Sequence, residues 1–251
     1  MHHRIHPIVM GTKVFDKGMM TYQQGYGTPY TIPIYCWYIE GGDKKILVDT
    51  GEMQPIVSEE REKAIGGPIR TFEAGLAAYG LTPADIDIII HTHLHNDHCE
   101  NDYKCENATI WVHEKELESI HDPHALDFRY MEDYIADVEE NGQLRPIAIS
   151  GDEQFEIVPG VRVMHTPAHT EGGLTVFIDT AQGTAAITGF CIIDENLNPP
   201  AQVRAMEMEV IPPGTCINPK SSYDILLKVK NMADMVLPLH EPRFAAMETI
   251  G

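Results

Sequence analysis

The segment HTHLHNDH at residues 91–98 decides the fold and the chemistry expected of this chain. It directly follows the apolar run IDIII at residues 86–90, which is short, rich in β-branched side chains and preceded by a Leu-Thr-Pro turn. These features are typical of a buried strand. The histidines and the aspartate therefore lie where a strand passes into a loop, a frequent position for functional side chains.

The spacing of these side chains predicts a metal site. Residues two apart in an extended chain point to the same side, so His93 and His95 can bind one ion together. If the chain then turns, Asp97 and His98 reach a second point close by. Imidazole and carboxylate ligands suit zinc, iron or manganese, with zinc as the default. Surface histidines without a metal are the alternative, but packing gives no reason for such a cluster.

Four segments together resemble the metallo-β-lactamase superfamily. The cluster itself is similar to the family's His-x-His-x-Asp-His metal motif. The other three occur in the family's order and read ILVDTG (residues 46–51), TPAHTEGG (166–173) and PLHEP (238–242). The resemblance implies an α/β fold, an αββα sandwich of two mixed β-sheets with helices on the outer faces. Because no linker or repeat interrupts the chain, residues 1–251 are expected to form a single domain.

The resemblance also implies the remaining ligands of a dinuclear centre. His169 becomes the third ligand of the first metal, with His93 and His95, and its segment can bend sharply at Gly172-Gly173. His240 completes the second metal with the aspartate and last histidine of the cluster. Asp49, just past a strand, either orients the metal loop, as in the family, or is a simple turn residue.

Other histidines are expected to play lesser parts. His91 reads as a supporting hydrogen-bonding group, and His165 as a packing residue or a support for the ligands. A surface position is expected for the remaining three of this group, His113, His121 and His124.

The chain departs from the family where most members carry an aspartate that bridges both metals. The corresponding stretch is AITGFC at residues 186–191, which places Phe190 at the aspartate's position. Phenylalanine cannot bind a metal, but the neighbouring thiolate of Cys191 could bind zinc. Cys191 is therefore predicted as the replacement ligand, with Asp194 as the fallback. The alternative is a buried cysteine that packs as a small apolar residue.

A pair of divalent ions would activate water and polarise a carbonyl group. The favoured hypothesis is a metal-dependent hydrolase in which a metal-bound hydroxide opens a lactone ring. The single-domain layout resembles N-acyl-homoserine lactonases most, and the segment from IPIYCWYI (residues 32–39) to DTG (residues 49–51) is particularly similar to them. Asp97 would carry the proton to the leaving group. Alternatives are a glyoxalase II-like or β-lactamase-like hydrolase of thioesters or amides, a mononuclear iron sulfur dioxygenase, and a non-catalytic metal-bound binding module.

Composition limits the partners. With 18 basic and 38 acidic residues the chain carries a net charge of −20, which repels nucleic acids and anionic membranes. A small-molecule substrate is expected instead, and a homodimer is an open alternative to a monomer.

The N-terminus lacks the apolar stretch of a secretory signal and no apolar run could span a membrane, which favours the cytoplasm. Accordingly the cysteines (Cys36, Cys99, Cys105, Cys191 and Cys216) should be reduced.

Periodicity places strands near residues 5–14, 34–39, 45–48, 109–112, 155–158, 161–164, 174–178, 184–188 and 235–237. Helices are predicted over 72–79, over 114–140 with a break near Pro123, and from Asn218-Pro219 onward. The polar stretch 52–68 reads as a long loop. Substrate specificity is expected in residues 196–219 and in this loop, because long irregular segments are often functional. The apolar residues of 126–135 are expected to cover the site or to form a dimer contact.

Overall fold

The computed structural model describes residues 2–251, and its strands follow the order expected from the periodicity. The strands are β1 (Arg4–Asp16), β2 (Pro29–Glu40), β3 (Ile46–Val48), β4 (Ile88–Ile90), β5 (Thr109–His113), β6 (Leu144–Ile147), β7 (Gln154–Val158), β8 (Val161–His165), β9 (Leu174–Thr180), β10 (Gly183–Ile187) and β11 (Met235–Leu237). The α-helices are α1 (Glu59–Ile65), α2 (Phe72–Ala77), α3 (Asn96–Cys99), α4 (Glu114–His121), α5 (Ala136–Glu140), α6 (Asp194–Leu197), α7 (Ala201–Arg204) and α8 (Pro219–Met232).

The strands form two mixed sheets. The first has the order β1-β2-β3-β4-β5-β6, antiparallel from β1 to β3 and parallel from β3 to β6. The second has the order β11-β10-β9-β8-β7, in which only the pair β10-β11 is parallel. Parallel neighbours bring the carboxyl ends of β3 and β4 to the same edge of the first sheet, where ligand sites of such sheets commonly lie.

Alternation along β2 divides the apolar side chains between two layers. Trp37 and Ile39 face the second sheet and pack in a central core with side chains of β9, β10 and β11. Cys36 and Tyr38 point the other way, into a layer that includes Phe72 of α2 and residues of α4 and α5. This period of two is the ordinary consequence of strand geometry.

The outer face of the second sheet is covered by α8. Leu226 and Val229 of this helix pack against Phe177 and Ala186 of the sheet. Helices therefore lie on both outer faces and a shared core lies between the sheets, which confirms the predicted αββα sandwich. Among residues 2–251, no helix has the length and the apolar character that crossing a bilayer requires.

Three predictions of secondary structure were wrong. Residues 52–68 are not a continuous loop, because Ser58 caps α1 at Arg61 N and Gly66 ends it with φ 76°. The break predicted near Pro123 within the helix over 114–140 is present, since α4 ends at His121, but the helix does not resume directly after it: residues 122–135 are irregular apart from a short 3-10 turn at 132–134, and α5 begins only at Ala136. Strand β6 was missed because it contains Pro146, which an edge strand tolerates and a periodicity search penalises.

Candidate metal centre

The structure gathers His93, His95 and His169 into one buried group, although they come from the first and the second sheet. Their donor atoms all lie within 4.8 Å of one another. The first two lie in the loop between β4 and α3, and His95, the residue that precedes α3, has an extended backbone. A hydrogen bond from Leu174 N to Thr92 O (2.8 Å) joins the two loops that carry these histidines. This first triad has the composition of a three-histidine metal site.

A second buried triad consists of Asp97, His98 and His240, again with donor atoms within 4.8 Å of one another. Asp97 and His98 belong to the short helix α3, and His240 follows β11. The ring centroids of His93 and His98 are 4.1 Å apart, so the two triads are immediate neighbours. The six residues predicted from the sequence thus form the two groups in which they were predicted.

Hydrogen bonds to the second ring nitrogen orient three of these imidazoles. Nδ1 of His98 lies 2.9 Å from Asp49 Oδ2, Nδ1 of His169 lies 2.8 Å from the Thr215 carbonyl, and Nδ1 of His240 lies 3.0 Å from the Pro33 carbonyl. When Nδ1–H donates to these acceptors, Nε2 keeps its lone pair. Metal-binding histidines normally have such a partner, so the donor set fits a divalent cation.

Burial and neighbouring charges together shift the pKa values of the ligands: burial would lower the pKa of His98, but the carboxylates of Asp97 and Asp49 beside it raise it. Burial lowers the pKa of His93 and His169 well below the ordinary value, and neighbouring imidazoles lower it further. Burial and the nearby His98 lower the pKa of His240 to about 4. Burial opposes the charged form of Asp97, yet His98 and Lys13 hold its pKa below the usual range. Neutral imidazoles and an ionised carboxylate are the forms that bind metals.

Asp49 supports the metal loop from behind. It is fully buried at the end of β3 and adopts φ 57°, which aspartate tolerates better than most residues. Its carboxylate accepts hydrogen bonds from Thr92 N (2.8 Å) and Thr92 Oγ1 (2.7 Å) as well as from His98. Burial opposes ionisation, but His98 and His91 lower the pKa of Asp49 to about 2. The orienting role anticipated for Asp49 agrees with these contacts.

Comparison with known proteins identifies the family. The model of the metallo-β-lactamase superfamily matches residues 30–189, a stretch that contains the first five of the six triad residues. The chain belongs to the metallo-β-lactamase superfamily. The match ends before His240, which the resemblance of residues 238–242 predicted as a ligand and which the structure places in the second triad.

Several relatives in the superfamily are named lactonases. The chain is 29% identical over 195 residues to the N-acyl homoserine lactonase AiiA of Bacillus thuringiensis subsp. kurstaki, with 73% of each chain covered. It is 26% identical over 190 residues to the N-acyl homoserine lactonase AiiB of Agrobacterium fabrum, with 68% of this chain and 67% of the relative covered.

Solved structures of the superfamily share the fold. One is an N-acyl homoserine lactone hydrolase with its product N-hexanoyl-L-homoserine at the catalytic metal centre, with a TM-score of 0.71, 24% identity, and coverage of 96% of this chain and 94% of that chain. Another is AidC, described as a dizinc quorum-quenching lactonase, with a TM-score of 0.67, 14% identity, and coverage of 96% and 88%.

This member of the superfamily carries Phe190 in the core rather than in the site. Phe190 is fully buried and packs in the layer that contains Leu226 of α8. Cys191 lines the cavity of the triads, but in the described chain it belongs to neither group, and its Sγ lies 3.4 Å from Met20 Sδ. Asp194 begins α6 and lies 3.3 Å from Arg243. The ligand role of Cys191 therefore stays a prediction.

The structure agrees with most of the predictions for the histidines outside the triads, but not with the one for His113. Nε2 of His91 lies 2.7 Å from Asp102 Oδ2 in the buried support of the loop, as expected. His165 stacks on His113 with ring centroids 4.0 Å apart. The surface position predicted for His113 is wrong, because this side chain is buried and its Nε2 lies 2.9 Å from the Ile149 carbonyl. His121 and His124 are exposed as expected.

Glu116 supports the site through its hydrogen bonds, and no prediction from the sequence singled it out. It is fully buried, and its Oε2 accepts hydrogen bonds from Leu94 N (2.8 Å) and Tyr130 Oη (2.9 Å). Its Oε1 accepts from Gly172 N (3.0 Å). A Cβ at position 172 would lie 2.6 Å from Glu116 N, so glycine is required there. Glu116 thus ties the loops of the first triad together.

A cavity of about 520 Å³ opens onto both triads, a volume that suits a small organic ligand. Part of its wall is apolar and consists of Phe15, Met19, Leu126, Phe128 and Met131. The expectation that the 126–135 region covers the site therefore agrees with the structure. Its exposed members Leu126 and Phe128 form the mouth, with 82% and 84% of their surfaces accessible.

The specificity segments predicted from the sequence contribute less than expected. Of residues 196–219 only Thr215 lines the cavity, and residues 52–68 contribute none of its lining. The longer segment packs against the protein instead, because Asn196 Nδ2 donates to the carbonyls of Met20 (2.7 Å) and Ile211 (2.9 Å). Lys13 and Arg129 were both missed as lining residues. No local pattern marks either one, since they reach the site only through folding.

Proposed function

We propose that this protein is a metal-dependent hydrolase that opens lactone rings of the N-acyl homoserine lactone type. The observation that carries the proposal is the pair of adjacent buried triads, His93/His95/His169 and Asp97/His98/His240, at the floor of a partly apolar cavity. The names of the relatives support the substrate class, and the apolar wall gives an acyl chain a place to bind.

The donor set favours two zinc ions, one in each triad, since imidazole and carboxylate ligands suit zinc and the fold neighbour AidC is described as dizinc. Ions held there would supply a nucleophilic water and polarise the carbonyl. The chain's own groups orient the ligands through Asp49 and the carbonyls of Thr215 and Pro33. We assign proton transfer to the leaving oxygen to the carboxylate of Asp97.

Cys191 is retained as the proposed additional ligand of the second ion. Burial raises the pKa of its thiol to about 12, and a bound cation would have to displace the proton. The variant C191S tests this role by metal counting, because two ions in both the wild type and the variant would exclude it. A single domain and a cytoplasmic location stay predictions from the sequence, and a homodimer stays an open alternative to a monomer.

The activity is tested with zinc-loaded protein and N-hexanoyl homoserine lactone, by following the acid that ring opening releases. Turnover should be lost in H93A, whereas the surface variant H124A should keep it. A thioester, an amide and a β-lactam are assayed in parallel. Turnover of one of these without turnover of the lactone would overturn the proposed substrate class, and bound metal without any turnover would favour a binding module.

A further inference from the structure

The charge balance of the cavity is the reverse of that of the whole chain. The chain has 38 acidic and 18 basic residues. Among the residues that line the cavity, Asp97 is the only acidic one, whereas Lys13 and Arg129 are both basic. Since Asp97 is itself a proposed metal ligand, its charge would be shared with a cation. With cations bound in the triads, the residues that line the cavity would therefore carry a net positive charge, which favours an anion, and a low-dielectric cavity increases that effect.

The two basic side chains differ in how far they are neutralised. Arg129 donates to Asp127 Oδ1 from Nε (3.1 Å) and Nη2 (2.9 Å), which satisfies much of its charge. Lys13 Nζ lies 3.2 Å from Asp97 Oδ2 and 3.7 Å from Glu52 Oε1. Its nearest carboxylate is therefore the one that a metal would also engage. A cation bound by Asp97 would compete with Lys13 for that carboxylate, which leaves the more distant Glu52 as the other partner of Lys13 and makes its ammonium group the better placed of the two to bind a ligand at the second triad.

The position of Lys13 is set by the first sheet. It lies in β1, opposite Ile32 of β2, and its side chain is only 25% exposed. Phe15, two residues further along the same strand, lines the same cavity, as expected for side chains on one face of a strand. One strand thus presents an ammonium group and an aromatic ring side by side at the second triad. This pairing suits a ligand with an apolar chain and an anionic end.

We infer that Lys13 binds the carboxylate that ring opening creates, so that this site recognises an acyl compound ending in a carboxylate. The inference rests on the proposed function for the origin of the carboxylate. A lactone is neutral, and its hydrolysis yields a hydroxy acid that is ionised at neutral pH. Lys13 is then a specificity residue. It would favour the negatively charged product, and the negative charge that develops during ring opening, over an uncharged compound of the same shape.

The test measures binding without turnover. Octanoate and its neutral counterpart octanamide are titrated by calorimetry into the zinc-loaded wild type, K13Q, K13M and K13R. A charge-assisted hydrogen bond corresponds to a loss of about tenfold or more in affinity. We expect octanoate to bind at least about tenfold more weakly to K13Q and K13M than to the wild type, with octanamide binding unchanged. K13R should retain octanoate, and the exposed-lysine variant K44Q serves as the matched control.

The outcomes separate this inference from the proposed function. Octanoate binding that is unchanged in K13Q and K13M would overturn the role of Lys13, even if the lactone is hydrolysed. An equal loss of octanoate and octanamide would also overturn it, because the effect would then not depend on charge. Selective loss of octanoate in a protein that does not hydrolyse the lactone would support Lys13 as the carboxylate-binding group and refute only the proposed reaction.

Discussion

Asp49 shows how one side chain can organise several ligands. Its two oxygens receive the hydrogen bonds of Thr92 and of His98, so one buried carboxylate fixes both the path of the metal loop and the orientation of a ligand. Such partners of metal-binding histidines set ring orientation and basicity. The ligands themselves are buried and held in place, which limits the reorganisation that metal binding requires.

Replacing Asp49 by asparagine should weaken metal binding about 10- to 100-fold, because an amide NH₂ would face donors that need an acceptor. The free zinc concentration at half-saturation, measured with a competing chelator, checks this. D43N changes an exposed aspartate and serves as the control. Equal zinc affinity of D49N and the wild type would show that the carboxylate is not needed for orientation.

Single ligand substitutions should distinguish the two triads. H169A removes a ligand of the first triad and H240A removes one of the second, so each should reduce the metal content by about one ion per chain in the proposed dinuclear centre. Elemental analysis after dialysis provides the measurement, with H124A as an exposed-histidine control. Full metal content in H240A would argue against the second ion.

At the scale of the elements, α4 acts as a connector between the loops of the site. Through Glu116 it contacts the loop after β4 and the loop after β8. It also holds Tyr130, whose ring lies 4.8 Å from that of His95. The residues on either side of Tyr130, Arg129 and Met131, line the cavity. The same carboxylate therefore connects the first triad to the segment that forms the mouth.

The variant E116Q should lower the free energy of unfolding of the metal-free protein by about 1–3 kcal/mol, because one buried donor would lose its acceptor. Y130F should lower it by about 1 kcal/mol, since it removes only one of the three hydrogen bonds. Urea denaturation is the measurement. E114Q, at an exposed position of the same helix, is the control. Equal stability of E116Q and E114Q would contradict the connecting role.

For the whole molecule, the centre lies where the two sheets meet. The first sheet supplies the residues of the loop after β4, and the second supplies His169 and His240. Bound ions would therefore connect the sheets on one side of their shared core. Any ligand that binds only the folded state stabilises that state, so metal binding and global stability should be coupled.

Removing metal with a chelator should lower the melting temperature by about 5–11 °C for each bound ion, relative to protein with free metal at a hundred times the dissociation constant. Scanning calorimetry with and without chelator measures the difference. The triple variant H93A/H169A/H240A should show no such shift. A chelator-insensitive melting temperature in a wild type that binds metal would show that the ions do not connect the sheets.

The sequence by itself determined ten of the eleven strands and, in residues 91–98, four of the six triad residues, because strands carry a strict period of two and metal ligands require particular side chains at the end of a strand. The sandwich and the other two triad residues, His169 and His240, were predicted from the resemblance of four segments to the metallo-β-lactamase superfamily. Residues 91–98 also carry their geometric information locally, because His93 and His95 lie two residues apart just before α3 and Asp97 and His98 lie within it.

Only the tertiary structure decided what surrounds the triads. In the sequence nothing distinguishes Glu116 from the other acidic residues, and only folding buries it among three donors. Nothing local distinguishes Lys13 from other lysines either, and only folding brings it beside Asp97. Burial and non-local contact have no local signature, because they depend on which segments pack together. For the same reason, the long irregular segments at residues 52–68 and 196–219 were wrongly expected to form most of the cavity lining.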